Sequence, residues 1–538
     1  MKPSVRTARI LLSFTLLGLG LLALISACRG QSGPLAEQSQ SASINLPPTM
    51  VAKTTETPAM PVPTDTGTPV PTPPPTPVPT PTHWPQVRLF APAHLTEKAA
   101  AAIQQMQAAG PTWNWRLIDV ADSADVHLVA GDHGIPVGQR AVALTVPFTE
   151  DWEGVGASEA YDILANAREG VSIMDWAEMT PNRKALRVDG LLPHEPGYPL
   201  QQPWSLVALA DFQPAAHQLA RSLGDIIDHD AVIHLSAVGD LMLDRALGYA
   251  ITSGDSSFPF RAVATELAQA DITVGNLESA LGDRGQPAAK SYTFRAPPAA
   301  ADSLASAGFD LLTLANNHAL DYGPEALIQA MELLAESEIA IVGAGVDEPS
   351  ARRPVILEHM GLKIAFLGYV DVPIEVSGFD TREWSATGST AGLAWADLGH
   401  IGQDVAAARQ QADTVIVLLH SGHEYVQPPS PAQVEAAHEA VDAGADLVIG
   451  HHAHVLQGVE FRDDAVIAYG LGNFAFEIDG DPSTAILNVW LDTGGVRQLE
   501  FSPAIVQQGG QPRIATSEEA TEIRRMVYYL TSLLNEAP

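Results

Sequence analysis

Residues 446–460 read DLVIGHHAHVLQGVE, a short apolar run that stops at Gly450 and is followed by His451, His452 and His454. An apolar run of this length, bounded by glycine, predicts a buried β-strand. In an open parallel α/β sheet, ligands bind in the crevice beyond the carboxyl ends of the strands. The three imidazoles therefore stand where binding and catalysis usually occur. Alternate residues of an extended segment point the same way, so we expect His452 and His454 to share one centre.

The same arrangement recurs along residues 231–505, where strand and helix patterns alternate as in an α/β domain. A single histidine after a strand is more often structural than functional, but here five apolar runs each end in a side chain that can bind a metal. These side chains are Asp240, then Asn276 and Glu278, then Asn317 and His318, then His420, and finally His452 and His454. Such a mixture suits Mn²⁺, Fe²⁺ or Zn²⁺ better than an all-oxygen calcium site. We expect one or two divalent ions.

The charge of the chain excludes some classes of partner. Its 538 residues include 29 basic and 63 acidic side chains, which gives a formal net charge of −34. This length is enough for two or three domains. Nucleic acid and anionic lipid are poor general partners for so acidic a protein, because both require basic surface. A polyanionic substrate would need a local cation, such as a bound metal.

The amino terminus has the features of an export signal. Basic residues precede an apolar run at 10–25, and small residues then lead to Cys28, the one cysteine of the chain. The ending LISAC looks like a bacterial lipobox, which implies a lipoprotein signal peptide at 1–28 and lipidation of Cys28. A single-pass anchor helix is the alternative, although the run is shorter than the ~20 residues that a span needs. Either interpretation predicts an extracytoplasmic protein held at the cell membrane.

Composition divides the rest of the chain into four segments. The Pro/Thr-rich composition of residues 29–85 predicts an extended, disordered tether. Residues 86–230 predict a smaller α/β domain, within which 165–207 resembles the later part of periplasmic substrate-binding-protein-like domains. Residues 231–510 predict the main α/β domain, and 511–538 predicts a terminal amphipathic helix.

Apolar periodicity and capping residues predict the individual elements of these domains. The predicted strands are 87–90, 126–130, 141–146, 233–238, 272–274, 311–314, 363–369, 414–419, 466–469 and 485–491. The predicted helices are 96–109, 260–269, 299–307, 325–336 after Pro324, and 431–443 after Ser430.

Six stretches of the main domain point to a protein family. They read SAVGDLMLDR, GNLESAL, LANNHALDYG, LHSGHEY, VIGHHAHVLQGVE and YGLGNF, and they occur in this order within residues 234–475. With them the chain resembles the CapA-type poly-γ-glutamate capsule synthesis proteins, which share the calcineurin-like metallophosphoesterase fold. The resemblance implies an α/β, four-layer sandwich in which helices flank two β-sheets.

The resemblance also implies roles for individual residues. It implies a centre of two metals, which would clamp a phosphoryl group. The implied metal ligands are Asp240, Glu278, Asn317, His420, His452 and His454, and the implied catalytic residue is His318, which would act on the leaving group. Candidates for supporting roles beside these positions are Asn276, Asp244, Asp321, Tyr322, His423 and His451.

Two departures from the motifs of the wider metallophosphoesterases affect this assignment. Met242 replaces the histidine of D-x-H, and the sequence Asn276-Leu277-Glu278 stands where G-D-x-x-D is expected. The loss of an imidazole should weaken one metal position. Three outcomes stay open: a single metal, a substitute ligand from Asp244 or Asn276, or binding without turnover.

Three functions are consistent with the sequence. The family resemblance predicts a membrane-anchored component of poly-γ-glutamate or related capsule polymer synthesis or export, with the polymer and membrane synthetase subunits as partners. The ligand set predicts a metal-dependent phosphoesterase of the cell envelope. The acidic body, the long tether and residues 86–230 are also consistent with a non-catalytic ligand- or polymer-binding lipoprotein.

Overall fold

A computed structural model of the protein describes residues 84–110, 112–227, 231–375, 377–477 and 480–535. The predicted signal peptide with Cys28, and the predicted tether up to residue 83, lie outside the described residues. All described residues belong to one compact unit. None of the helices in these ranges has the length and apolarity that a membrane crossing requires.

The first region, residues 86–227, is built around one large mixed sheet. Its strands are β1 Gln86–Phe90, β2 Asn114–Leu117, β3 Val126–Ala130, β4 Ile135–Pro147, β5 Gly154–Val155, β6 Ser172–Asp175, β7 Arg183–Ala185, β8 Arg187–Val188 and β9 Gln201–Ala208. Seven of them form the large sheet in the order β2-β1-β3-β9-β4-β6, with β7 paired to β4, and β5 pairs with β8 separately. The helices are α1 Thr96–Ala108, α2 Ala157–Asn166 and α3 Gln213–Gly224. Side chains of α1 and α3 form an apolar core with this sheet.

The second region, residues 231–535, carries the remaining elements. Its strands are β10 Ile233–Leu241, β11 Ile272–Leu277, β12 Ala280–Leu281, β13 Arg295–Ala296, β14 Leu311–Thr313, β15 Ala340–Val342, β16 Ala344–Gly345, β17 Val355–His359, β18 Leu362–Asp371, β19 Gly392–Leu393, β20 Thr414–Ser421, β21 Leu447–His451, β22 Val459–Arg462, β23 Ala465–Ala468, β24 Asn473–Ala475, β25 Ser483–Asp492, β26 Gly495–Val506 and β27 Pro512–Ile514. Its helices are α4 Arg245–Thr252, α5 Ala264–Leu267, α6 Ala300–Ser306, α7 Pro324–Glu336, α8 Glu348–Ala351, α9 Leu398–Arg409, α10 Pro431–Asp442 and α11 Ser517–Asn535.

Two large sheets organise the second region. One has the order β15-β14-β11-β10-β25-β26-β27, with β24 beside β10, and the other has the order β17-β18-β20-β21-β23-β22. A continuous apolar core joins side chains of both sheets, such as Leu235 of β10 and Ile449 of β21. A second core joins the first sheet to α4, α6 and α7, and a third joins the other sheet to α9 and α10. The region is therefore a mixed α/β structure.

The sheet register places polar residues together at one end. Asp240 of β10 is paired with Asn276 of β11 and with Asn473 of β24. On the other sheet, His420 of β20 is paired with His451 of β21. The carboxyl ends of these parallel strands are where an open α/β sheet binds ligands, so the register gathers the predicted ligands there.

Most predicted elements are confirmed with small shifts at their ends. The predicted strand at 126–130 is β3, and α10 begins after Ser430 in a capping box, in which Ser430 and Gln433 exchange hydrogen bonds of 2.8 and 3.2 Å. The helix predicted at 260–269 is wrong in extent, because only Ala264–Leu267 is helical. The preceding residues form turns that bury Phe260 in the core of the first sheet. The predicted helix at 511–538 is preceded by β27 and begins at Ser517.

Candidate metal centre

The turn after β21 presents two of the predicted ligands. The backbone φ angles of His452 and His454 are 83° and 55°, in the left-handed region that residues other than glycine rarely adopt. Their ring centroids are 5.7 Å apart. The structure therefore brings the two imidazoles close together, but through a strained turn and not through the alternation of an extended strand. Such strain is concentrated at functional sites in proteins.

Predicted ligands from both sheets converge at this turn. Six side chains form three overlapping groups whose ligand atoms lie within 4.8 Å of one another: Glu278 with His420 and His452, Asp240 with Glu278 and His454, and Glu424 with His452 and His454. All except Glu424 are buried. Because Glu278, His452 and His454 each belong to two groups, the arrangement suits one ion or two adjacent ions. A divalent metal is consistent with these donors.

Two buried polar atoms of the cluster have no hydrogen-bond partner among the described residues. They are Oε1 of Glu278 and Nδ1 of His452. The Glu278 side chain is fully buried, and its Oε1 lies 3.6 Å from Nε2 of His454 and 3.8 Å from Nε2 of His420, too far for hydrogen bonds. Buried polar groups are rarely left unsatisfied. A bound cation would satisfy these atoms, so the residues present fit a metal.

Electrostatics support the same conclusion. Burial lowers the pKa of His452 to about 3 and that of His420 well below its usual value, which keeps both imidazoles neutral and able to bind a metal. Burial and the nearby Asp240 raise the pKa of Glu278 well above its usual value. Burial disfavours a charged His454, but Glu278 and Asp240 outweigh it and raise the pKa of His454 to about 10. The cluster thus attracts a proton to His454, and a divalent cation would supply the same compensation.

Asparagines at the ends of two strands form hydrogen bonds with side chains of the cluster. The side-chain amide of Asn276 donates to Oδ1 of Asp240 at 2.8 Å and lies 3.1 Å from Nδ1 of His420. Its oxygen accepts from Asn316 at 2.9 Å. Asn276 therefore supports the ligands and does not offer its oxygen to them. Oδ1 of Asn317 lies 2.8 Å from Nε2 of His420, so this amide oxygen reaches the cluster.

His318 lies beside the ligands and is held from two sides. Its Nδ1 is 2.8 Å from Oδ2 of Asp321, and its ring stacks on Phe294 with centroids 4.3 Å apart. Burial lowers the pKa of His318, although Asp321 opposes the shift. Among the described residues, Nε2 of His318 has no protein partner, and the ring lines a cavity. A group held in this way can transfer a proton to or from a molecule in that cavity.

Three of the other predicted residues have structural contacts, and a fourth is exposed. Both oxygens of Asp244 accept backbone amides, at 2.7 and 2.9 Å, so Asp244 caps α4 and is not a substitute ligand. Nε2 of His451 donates to a backbone carbonyl of β10 at 3.2 Å. The centre of the Tyr322 ring lies 3.4 Å from the guanidinium carbon of Arg295. His423 is exposed, and Met242 is buried against the aromatic rings of residues 294 and 476.

A cavity of about 530 Å³ opens at the cluster. It is lined by Arg245, Ser291, Tyr292, Phe294, Asn317, His318, Glu375, Ser377, Glu424, Tyr425, His454, Phe476 and Glu477. The guanidinium of Arg245 lies 5.1 Å from the centre of the Phe294 ring, and among the described residues it pairs with no carboxylate. A free cation beside buried ligands is an arrangement that can bind an anionic group.

Sequence reasoning missed several residues of this site. Glu424 had a signal, since it lies four residues after His420 in LHSGHEY. The sequence contains no signal for Lys290, Phe294 and Glu375. Each is a lone residue in a loop or at the end of a loop, and only tertiary contacts bring it near His318.

A family model and several known proteins are similar to this part of the chain. The family model described as "Bacterial capsule synthesis protein PGA_cap" matches residues 234–478, which include all six clustered side chains. The chain is 30% identical over 304 residues to "Capsule biosynthesis protein CapA" of Bacillus anthracis, covering 55% of this chain and 73% of that protein. It is 30% identical over 284 residues to "PGA biosynthesis protein CapA" of Bacillus subtilis, covering 52% and 73%. A probable polyglutamine synthesis accessory protein of Mycobacterium tuberculosis is 30% identical over 219 residues, covering 39% and 57%.

Proposed function

This chain belongs to the CapA family of bacterial capsule synthesis proteins, and we propose that it acts outside the cytoplasm in the synthesis or export of poly-γ-glutamate or a related capsule polymer. The observation that carries the proposal is the family match over the residues that form the buried ligand cluster. The lipobox-like ending at Cys28 supports anchoring to the membrane. The polymer and membrane synthetase subunits are the partners we propose.

We further propose that the second region is a four-layer metallophosphoesterase sandwich. One apolar core joins the two sheets, and two others join each sheet to helices, which supports this interpretation. The predicted metallophosphoesterase ligands also lie at strand ends of both sheets. Met242 departs from the pattern of that fold, and Glu424 adds a carboxylate beside His452 and His454.

The chemistry that the site suits is hydrolysis of a phosphate ester. Asp240, Glu278, His420, His452 and His454, with Asn317 and Glu424 beside them, would hold one or two divalent ions, which supply electrostatic stabilisation of a phosphoryl group when bound. His318 presents Nε2 to the cavity and would donate a proton to the leaving oxygen. Arg245 would bind an anionic group of the substrate. The specific observation in favour is the unsatisfied Oε1 of Glu278 among neutral imidazoles.

Complementation tests the capsule function. Deletion of the gene in its native host should reduce cell-surface polymer, and the wild-type gene should restore it. Genes carrying Asp240→Ala or His452→Ala should not restore it, whereas His217→Ala, which changes an exposed histidine on α3, should. Unchanged surface polymer in the deletion strain would refute the proposal. A Cys28→Ala protein should move from the membrane fraction to the soluble fraction.

Purified protein tests the phosphoesterase function separately. The full-length protein in detergent should hydrolyse bis(p-nitrophenyl) phosphate when Mn²⁺ is added and should lose this activity with a chelator. Absence of turnover with Mn²⁺, Fe²⁺ and Zn²⁺, despite measured metal binding, would restrict the protein to binding.

A further inference from the structure

Lys290 has a fully buried side chain at the edge of the candidate site. Its side chain has no exposed surface, and Nζ lies 2.7 Å from Oδ1 of Asp321 and 2.5 Å from Oε1 of Glu375. Nζ also donates to the backbone carbonyl of Asn317 at 2.7 Å. Removing an ammonium group from water is costly unless such partners compensate it. A surface lysine would incur no such cost, so this position needs a structural or functional explanation.

The contacts of Lys290 reach both halves of the site. On one side, Nζ lies 3.4 Å from Nδ1 of His318, the proposed proton donor, and Asp321 contacts the same nitrogen. On the other side, Oε1 of Glu375 accepts from the side-chain amide of Asn317 at 3.0 Å, and this leaves Oδ1 of Asn317 facing the imidazole cluster. Lys290 thus connects a metal ligand and the proton donor through one buried charge.

The surroundings of Lys290 separate it from the substrate. It is not among the residues that line the cavity, whereas Glu375 and His318 are. Aromatic rings lie on its other side, with the Trp384 ring centre 5.0 Å and the Phe379 ring centre 5.9 Å from Nζ. These rings keep water away from the ion pairs. Charge-assisted hydrogen bonds are stronger in such a water-poor environment than in water.

We propose that Lys290 is a positioning residue for the phosphoesterase chemistry. It holds Asp321 and Glu375 in place, and these carboxylates hold the His318 ring with Nε2 toward the cavity and the Asn317 oxygen toward the metal ligands. The inference rests on the proposed hydrolytic function. It predicts that the step that depends on Lys290 is the donation of a proton to the leaving group, and not the binding of substrate.

A leaving-group series tests this role in the full-length protein. Lys290→Met keeps the length of the side chain and removes its charge. General acid catalysis contributes about 10²–10⁴-fold in rate, so kcat for a phenyl phosphodiester, whose leaving group needs a proton, should fall on the order of 10²-fold with KM unchanged. The p-nitrophenyl diester, whose leaving group needs little protonation, should lose much less. Equal losses for both diesters would overturn the proposal.

Two further proteins keep the test decisive. Lys363→Met changes an exposed lysine of β18 and should behave as wild type. If Lys290→Met does not fold, Glu375→Gln, which keeps the size of the side chain, should show the same leaving-group dependence, and its absence would overturn the proposal.

Histidine NMR separates this inference from the hydrolytic function. In protein labelled with [¹⁵N]histidine, the hydrogen bond from His318 to Asp321 should give an Nδ1–H signal that is assigned by its loss in His318→Gln. Lys290→Met, or Glu375→Gln if the former does not fold, should shift or broaden this signal. If wild type hydrolyses no diester, the proposed function fails, and the NMR result alone decides the positioning role. An unchanged His318 signal would overturn it.

Discussion

Replacing Glu278 with glutamine tests the metal centre at a carboxylate whose Oε1 has no hydrogen-bond partner in the part of the chain that the structure describes. Burial and the nearby Asp240 raise the pKa of Glu278 well above its usual value, so its ionised form is disfavoured when no cation is bound. Glutamine has nearly the same volume and no charge. We therefore expect Glu278→Gln to leave the metal-free protein at least as stable as wild type.

The effect of this substitution should appear in metal binding. Groups that merely support metal ligands contribute 10- to 100-fold to affinity, and Glu278 belongs to two of the three ligand groups, so its loss should weaken binding by about 10²-fold or more. At a Mn²⁺ concentration about 100 times the wild-type Kd, binding stabilises the folded protein by about 2.7 kcal/mol. That concentration is close to the Kd of the variant, where the gain is about 0.4 kcal/mol.

Calorimetric titration with Mn²⁺ and denaturant unfolding with and without Mn²⁺ measure both quantities. Asp446→Asn is the matched control, because Asp446 is a largely buried carboxylate before the opposite end of β21, where it accepts from the Val415 amide at 2.7 Å. This control should lower stability but keep the full gain from Mn²⁺. An undiminished gain in Glu278→Gln would refute the assignment of Glu278 as a metal ligand.

Three other predictions concern separate parts of the chain. Asp240→Ala and His452→Ala should each lower the metal content, measured by elemental analysis, without unfolding the protein. Arg245→Gln should raise KM for an anionic diester by about 10- to 100-fold with kcat little changed, because a charge-assisted hydrogen bond contributes about 1.5–3 kcal/mol. Asp175→Ala should lower the free energy of unfolding by about 1.5–3 kcal/mol, since it removes a carboxylate that accepts hydrogen bonds of 2.7 and 2.8 Å from buried Arg140.

Each of these predictions has a control and a contrary outcome. His217→Ala should keep the metal content, and unchanged stoichiometry in both ligand variants would contradict the metal centre. Lys363→Gln should keep KM, and a normal KM in the Arg245 variant would exclude it from substrate binding. Asp442→Asn, which breaks an exposed pair with Arg462, should change stability by less than about 1 kcal/mol. A similarly small change for Asp175→Ala would show that the buried pair contributes little.

Met242 illustrates how tertiary packing changes the meaning of a motif. From the sequence, it is a missing imidazole in D-x-H. In the structure it is fully buried against Phe294 and Phe476, and Phe294 stacks on His318. The methionine thus belongs to the apolar wall that fixes the proposed proton donor, while Glu424 brings an additional carboxylate to the cluster.

The sequence by itself determined the strands and the type of ligand at their ends. Apolar periodicity is a local property, and it predicts these strands. The prediction that Gly450 ends its strand is wrong, because β21 continues to His451. Gly450 is needed there for a tertiary reason, since a Cβ would lie 2.0 Å from the carbonyl oxygen of Tyr469. The same local logic identified Asp240, Glu278 and His420 as residues that follow or end apolar runs. These features depend on neighbours along the chain, which the sequence states directly.

Tertiary structure alone decided which polar side chains meet and which atoms they present. Asp244 and Glu278 are both carboxylates that follow strands. Both oxygens of Asp244 accept backbone amides, whereas Oε1 of Glu278 has no hydrogen-bond partner among the described residues. Lys290 reaches His318 only because a loop brings residues 28 positions apart into contact. The directions of side chains at strand ends depend on sheet register and turn conformation, and these are set by packing between elements that are distant in sequence.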